Sequence, residues 1–234
     1  MTMYAGPGMN AGLRNPDSYI VCHLRFDDDG ARELTGMPIT LAGGASVSAT
    51  NARHHGMALQ IGAGDYCQIA HNGALDFLYQ NGVPWSIAMW MTGFDNTGGT
   101  LPSIIALQAS VGRMVVMWYS AKRMIYLNIR NAENDVVVNA FGYKGPTTAG
   151  MHYLVITYDQ ALSAHNAKIY VDGTLLGTRD KFQASPSTGS SNTALNIGYH
   201  SERSSYGEFP MSIDEFIVYK GIAIDGTVVP TRRR

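Results

Sequence analysis

Residues 152–159 read His-Tyr-Leu-Val-Ile-Thr-Tyr-Asp, and residues 169–173 read Ile-Tyr-Val-Asp-Gly. The first stretch is rich in β-branched and aromatic residues and holds no charge before Asp159, which suits a buried strand. Asp172-Gly173 then separates 168–171 from 174–178. Asp-Gly is a preferred pair for a two-residue type I′ turn, because both positions need φ > 0. The same strand character recurs on either side, at 19–26, 58–61, 66–70, 85–92, 103–108, 113–119, 124–130, 135–141, 194–197 and 211–219. Short strands at this spacing predict an all-β, two-sheet antiparallel sandwich of the jelly-roll kind. No stretch sustains a helical period, and only 74–80 has room for a helical turn or two. Turns at 120–122 and 131–134 make 113–141 a three-strand meander. Within it Ile125, Leu127 and Ile129 share one face and Tyr126, Asn128 and Arg130 the other. The apolar set is expected to face the partner sheet and the polar set an outer surface.

The 234 residues are enough to bury a core without staples or metals. Seventeen Lys+Arg against eighteen Asp+Glu give a net charge of −1, which offers nucleic acid no attraction. No window reaches the about 18 consecutive apolar residues of a membrane span. The N-terminus lacks the cationic start and apolar stretch of a secretory signal. Two cysteines, Cys22 and Cys67, are too few for a disulfide framework and read as buried free thiols. Residues 1–18 form a Gly/Pro/Asn-rich arm, 19–225 the sandwich, and 226–234 a basic tail.

In order and spacing these strands resemble the laminin-G-like, concanavalin-A-like jelly-roll family. The resemblance rests on His23-Leu24-Arg25-Phe26-Asp27-Asp28-Asp29-Gly30, Gly64-Asp65-Tyr66-Cys67-Gln68-Ile69, Leu75-Asp76-Phe77 and the Trp90 strand. It continues through the 152–159 and 169–173 segments, Ile197-Gly198, and Ile213-Asp214-Glu215-Phe216-Ile217-Val218-Tyr219. Met151 departs from it, standing where the family usually places Trp. The resemblance implies a fold often used for glycan binding. It also implies a structural calcium between Asp27 and Asp214, with a solvated turn and a local hydrogen-bond network as the alternative. No other cofactor is expected.

Catalysis is not expected. Glycosidases of this fold carry alternating carboxylates on one strand, but the glutamates here, Glu33, Glu133, Glu202, Glu208 and Glu215, form no such string with the aspartates. No serine sits in a Gly-x-Ser-x-Gly elbow, and no Ser/His/Asp set is evident. His54-His55 does not match a zinc spacing, and His152 reads as structural. Trp85, Trp90 and Trp118 lie in apolar runs and read as core.

Sugar recognition pairs an aromatic face with planar amide or carboxylate groups. Tyr126, Asn128, Arg130 and Asn139 fit that description, as do Tyr199, His200 and Tyr206 in or beside a polar loop. The leading expectation is nevertheless a structural protein of a bacteriophage virion, a capsid decoration or tail component. A fold usually deployed outside cells, in a chain with no export signal, suits a protein synthesised in a host cytoplasm and released by lysis. Such a protein would dock on capsid or tail subunits and on its own copies through terminal arms bearing Tyr4, Leu13, Arg14, Arg232, Arg233 and Arg234. A carbohydrate-binding lectin or adhesin, recognising a cell-surface glycan, is the alternative, and a polysaccharide-degrading enzyme the third reading.

Overall fold

The computed structural model describes residues 16–27, 30–53, 56–80, 82–95, 102–142, 144–181, 186–199 and 210–226. Among them run β1 (Ile20–Asp27), β2 (Gly30–Glu33), β3 (Ile39–Ala42), β4 (Ser46–Ser48), β5 (Ala58–Ile61), β6 (Tyr66–Ile69), β7 (Trp85–Met91) and β8 (Ser103–Ala109). They continue as β9 (Gly112–Tyr119), β10 (Met124–Asn131), β11 (Val136–Gly142), β12 (His152–Tyr158), β13 (Ala167–Val171), β14 (Thr174–Arg179), β15 (Leu195–Ile197) and β16 (Met211–Lys220). The helical turn expected at 74–80 is a short 3-10 turn, Asp76–Leu78.

Two antiparallel sheets face each other. One runs β14-β13-β12-β7-β16-β1-β2, with β5 beside β16 and β4 beside β5. The other runs β11-β10-β9-β8-β15-β6-β3. β16 serves two partners along one side: Met211–Ile213 pair with β5, and Phe216–Tyr219 pair with β1. Between those halves the register shifts and Glu215 takes φ 58°, a bulge that re-aims the strand.

Period-2 alternation fills the space between the sheets. Cys22, Leu24, Phe26, Trp85, Ile87, Met89, Leu154 and Ile156 meet Met114, Val116, Trp118, Ile125, Leu127 and Ile129, all buried. Cys22 and Cys67 lie in this core as free thiols. Burial holds the Cys22 thiol well above its usual range and pushes Cys67 up to about 12, so both remain protonated and inert.

Asp172 (φ 49°) and Gly173 (φ 79°) make the expected left-handed turn between β13 and β14. All three tryptophans expected in the core are buried. Trp85 and Trp118 belong to the core between the sheets, but Trp90 lies on the opposite side of β7. There it joins Ala88, Tyr153, Val155, Ile217 and Tyr219 under Ile222 and Ile224, with Met151 and Tyr19 against the margin. This outer cluster seals the nine-stranded sheet.

Candidate functional site

Alternation along β10 buries Ile125, Leu127 and Ile129 and leaves Tyr126, Asn128 and Arg130 partly exposed on the outer face of the seven-stranded sheet. Asn128 stands directly opposite Asn139 on β11 and Val115 on β9. Cross-strand partners on one face are about 4.5–5.5 Å apart at Cβ, so the two amides form one polar surface. The Arg130 guanidinium is aimed by two bonds, Nε to Asn128 Oδ1 (3.2 Å) and one terminal nitrogen to the Asn134 carbonyl (2.8 Å). At the other end of the row Tyr126 meets Tyr119 edge-on at 6.2 Å, and the Lys122 ammonium sits 5.6 Å from the Tyr119 ring centre.

Past Arg130 the row runs into a cleft of about 250 Å³ walled by Val111, Asn131, Glu133, Pro186, Thr188 and Gly189. Its 186–191 wall is tied down. Asp76, buried at 1% exposure, accepts bonds from the Ser190 hydroxyl and the Ser191 amide. Gln80 Nε2 donates to the Gly189 carbonyl, and the Ser187 hydroxyl to the Val111 carbonyl. At Gly189 a Cβ would lie 2.6 Å from Val111 Cβ, so the close approach of the wall requires glycine.

The centre of this face is closed, with Ala106, Val115, Asn196 and Gln108 at 0, 2, 4 and 7% exposure. Beyond it lies a second aromatic station. Tyr199, 40% exposed, stacks on Tyr66 with ring centres 4.9 Å apart, and Gln68 Nε2 donates to Asn196 Oδ1 at 3.0 Å. Tyr66, Tyr119 and Lys122 were not singled out in the sequence, since their roles depend on cross-strand neighbours. The structure thus brings Tyr126, Asn128, Arg130 and Asn139 together and places Tyr199 on the far flank. His200, Tyr206, His54 and His55 lie outside the described residues, as do the arm positions Tyr4, Leu13, Arg14, Arg232, Arg233 and Arg234.

Each member of the calcium pair has one carboxylate oxygen on a protein donor. Asp27 Oδ1 is bound to Arg25 Nε at 3.2 Å, and Asp214 Oδ2 accepts the Arg53 amide at 2.7 Å. No group of three or more His, Cys, Asp or Glu among the described residues is arranged for a metal. Calcium takes six to eight oxygens, of which these two carboxylates would supply only a part. Neighbouring Glu215, buried at 5% exposure, is bound to His23 Nε2 at 2.7 Å.

A family model, Laminin_G_3, described as the concanavalin A-like lectin/glucanases superfamily, matches residues 61–224. The chain belongs to this superfamily. Its fold resembles that of the botulinum neurotoxin DC binding domain solved in complex with SialylT, with TM-score 0.67 and 13% identity over 91% of this chain and 50% of that one. The receptor binding domain of botulinum neurotoxin D gives TM-score 0.69 and 11% identity over 91% and 51%. A botulinum neurotoxin type C structure, reported with cell entry dependent on two ganglioside molecules, gives 0.67 and 14% over 90% and 49%. The chain therefore spans about half the length of these structures, and at such identities the likeness is one of fold. No curated protein matches the chain.

Proposed function

We propose that this domain is a glycan-binding module whose site is the β10–β11 margin of the seven-stranded sheet. One observation carries the reading: Asn128 and Asn139 face each other in register between Tyr126 and a guanidinium already oriented by Asn128. Tyr126 offers a face for the apolar side of a pyranose ring, while the amides and Arg130 meet its hydroxyls. Arg130 is held before a ligand arrives, which lowers the ordering cost of binding. A lectin-like fold and structural neighbours named for receptor, sialyl-ligand and ganglioside binding support this choice. An assembly role in a phage particle draws its support from features of the sequence alone, whereas the side chains gathered at this margin support glycan binding.

The test is a glycan array followed by calorimetry on the strongest hit, with the whole chain and with Tyr126→Ala and Asn128→Ala. Saturable binding lost in both variants is the expected result. Absence of any binding, or binding indifferent to both substitutions, overturns the proposal. Particle association that survives deletion of residues 2–18 would argue against the arms as docking elements.

A further inference from the structure

We propose that Thr148, His152 and Asp172 form an acyl-accepting nucleophile site, separate from the glycan margin. The sequence offered no Ser/His/Asp set, but the fold assembles one with threonine as the hydroxyl. His152 Nδ1 lies 2.6 Å from Asp172 Oδ2, and His152 Nε2 lies 3.0 Å from Thr148 Oγ1. With Nδ1–H donating to the carboxylate, Nε2 presents its lone pair to the Thr148 hydroxyl, the tautomer a general base needs. Once Nε2 has taken the proton, its N–H points to a second acceptor, the Thr148 carbonyl at 3.3 Å.

Asp172 is fixed more firmly than a turn residue requires. Its Oδ1 accepts the Tyr153 amide at 2.9 Å, its own amide donates to the Tyr153 carbonyl at 2.9 Å, and its backbone sits at φ 49°. The β12–β13 pairing, with Leu154 opposite Val171, brings that turn beside His152. Phe94 packs against the imidazole at 5.7 Å between ring centres and steadies it. The far end of the relay is open. Thr148 is exposed and lies in a run of exposed residues, 147–150, so a donor reaches Oγ1 from solvent. Nucleophile, base and base-orienting group thus stand in hydrogen-bonded sequence, the arrangement by which hydroxyls are activated.

The substrate class is an activated carboxylic ester. Thr148 Oγ1 attacks the carbonyl carbon while His152 Nε2 takes the hydroxyl proton. The Oγ1–acyl bond forms, the acyl–oxygen bond to the leaving alcohol breaks, and the imidazolium returns its proton to that alcohol. Water, deprotonated by the same nitrogen, then adds its oxygen to the acyl carbon; the acyl–Oγ1 bond breaks, the imidazolium returns the proton to Thr148 Oγ1, and the carboxylic acid leaves. Thr148 and His152 are the catalytic residues, and Asp172 is a positioning residue.

The experiment incubates the whole chain with p-nitrophenyl acetate, following nitrophenolate release and mapping acetyl adducts by peptide mass spectrometry. An acetyl group on Thr148, with release lost in Thr148→Val and kept in Thr148→Ser, is the expected result. Asp172→Asn should lower kcat about 10²-fold or more, leave KM unchanged and remove the downfield Nδ1–H resonance of His152, with the β circular dichroism spectrum intact. Wild-type release equal to that of Thr148→Val overturns the proposal, as does an adduct confined to His152. Because Thr148→Val is an exposed substitution, a folding defect does not obscure the result.

Discussion

On the outer face of the nine-stranded sheet, Trp90, Tyr153, Val155 and Tyr219 are covered by Ile222 and Ile224. On the outer face of the seven-stranded sheet, Tyr126, Asn128, Arg130 and Asn139 stand half exposed. Both faces are built from alternating strands carrying aromatic residues. The difference is what lies over them: the first is covered by the chain as it leaves β16, so its aromatic area contributes to folding. The β10–β11 margin keeps its polar groups partly in water, where burying them would gain little, and that leaves them for a ligand. An aromatic residue on a sheet therefore says nothing about binding until its cover is known.

The comparison breaks most visibly at Trp90. Trp90→Ala should cost about 3–5 kcal/mol of unfolding free energy, measured by urea denaturation, while leaving glycan affinity unchanged. Tyr126→Ala should cost under about 1 kcal/mol. Similar losses at the two sites would mean that the faces are not differently covered.

Alkaline titration sharpens the contrast. Burial holds the phenols of Tyr153 and Tyr219, on the sealed face, above their ordinary range, with the nearby Glu215 carboxylate adding to the effect. In the core, burial first and Asp159 second push Tyr158 up to about 12. A raised folded pKa means the native state keeps its proton where the unfolded chain has lost it. Stability is therefore fully present below about pH 10 and falls as pH rises through the folded values, for Tyr158 between about pH 10 and 12. Urea midpoints at pH 9 and 11.5 read this directly, and Tyr219→Phe should flatten the decline; midpoints independent of pH would contradict burial of these rings.

Most strands were legible because each alternates or runs apolar for its whole length. β2, β3 and β4 were not: Gly30–Glu33, Ile39–Ala42 and Ser46–Ser48 are short, largely polar, and ordered by partners already in place. The side of the sheet on which Trp90 lies was not legible for a different reason. β7 is buried on both faces throughout, so period 2 cannot say which side its tryptophan takes. At the margin, the Tyr126–Asn128–Arg130 face could be read from β10 alone. The Asn128–Asn139 register, the Tyr66–Tyr199 stack and the cleft wall pinned by Asp76 depend on contacts between separate segments. The same holds for Thr148 beside His152 and Asp172.

At the open margin the expected effects are smaller. Tyr126→Ala should weaken the best glycan about tenfold or more by calorimetry, about 1.4 kcal/mol. Asn139→Ala should weaken it less, because Asn128 still orients Arg130. If Asn139→Ala proved the more severe, the ligand would lie over β11 rather than along β10.

The smallest effect is expected from removing calcium. A site filled at 100 times its Kd would add about 2.7 kcal/mol to stability. For a chain of this size each kcal/mol shifts Tm by about 2–4 °C, so a genuine site would show as several degrees on chelation. The partners of Asp27 and Asp214 argue against such a shift. Arg25 already supplies positive charge to Asp27, and Asp214 Oδ2 accepts the Arg53 amide, which holds the segment before β5 against β16. Thermal melts with EGTA and with millimolar calcium should therefore coincide within about 1 °C, while Asp214→Ala should lower Tm in both. A drop confined to the EGTA sample and abolished by Asp214→Ala would show that the carboxylate serves an ion before it serves the backbone.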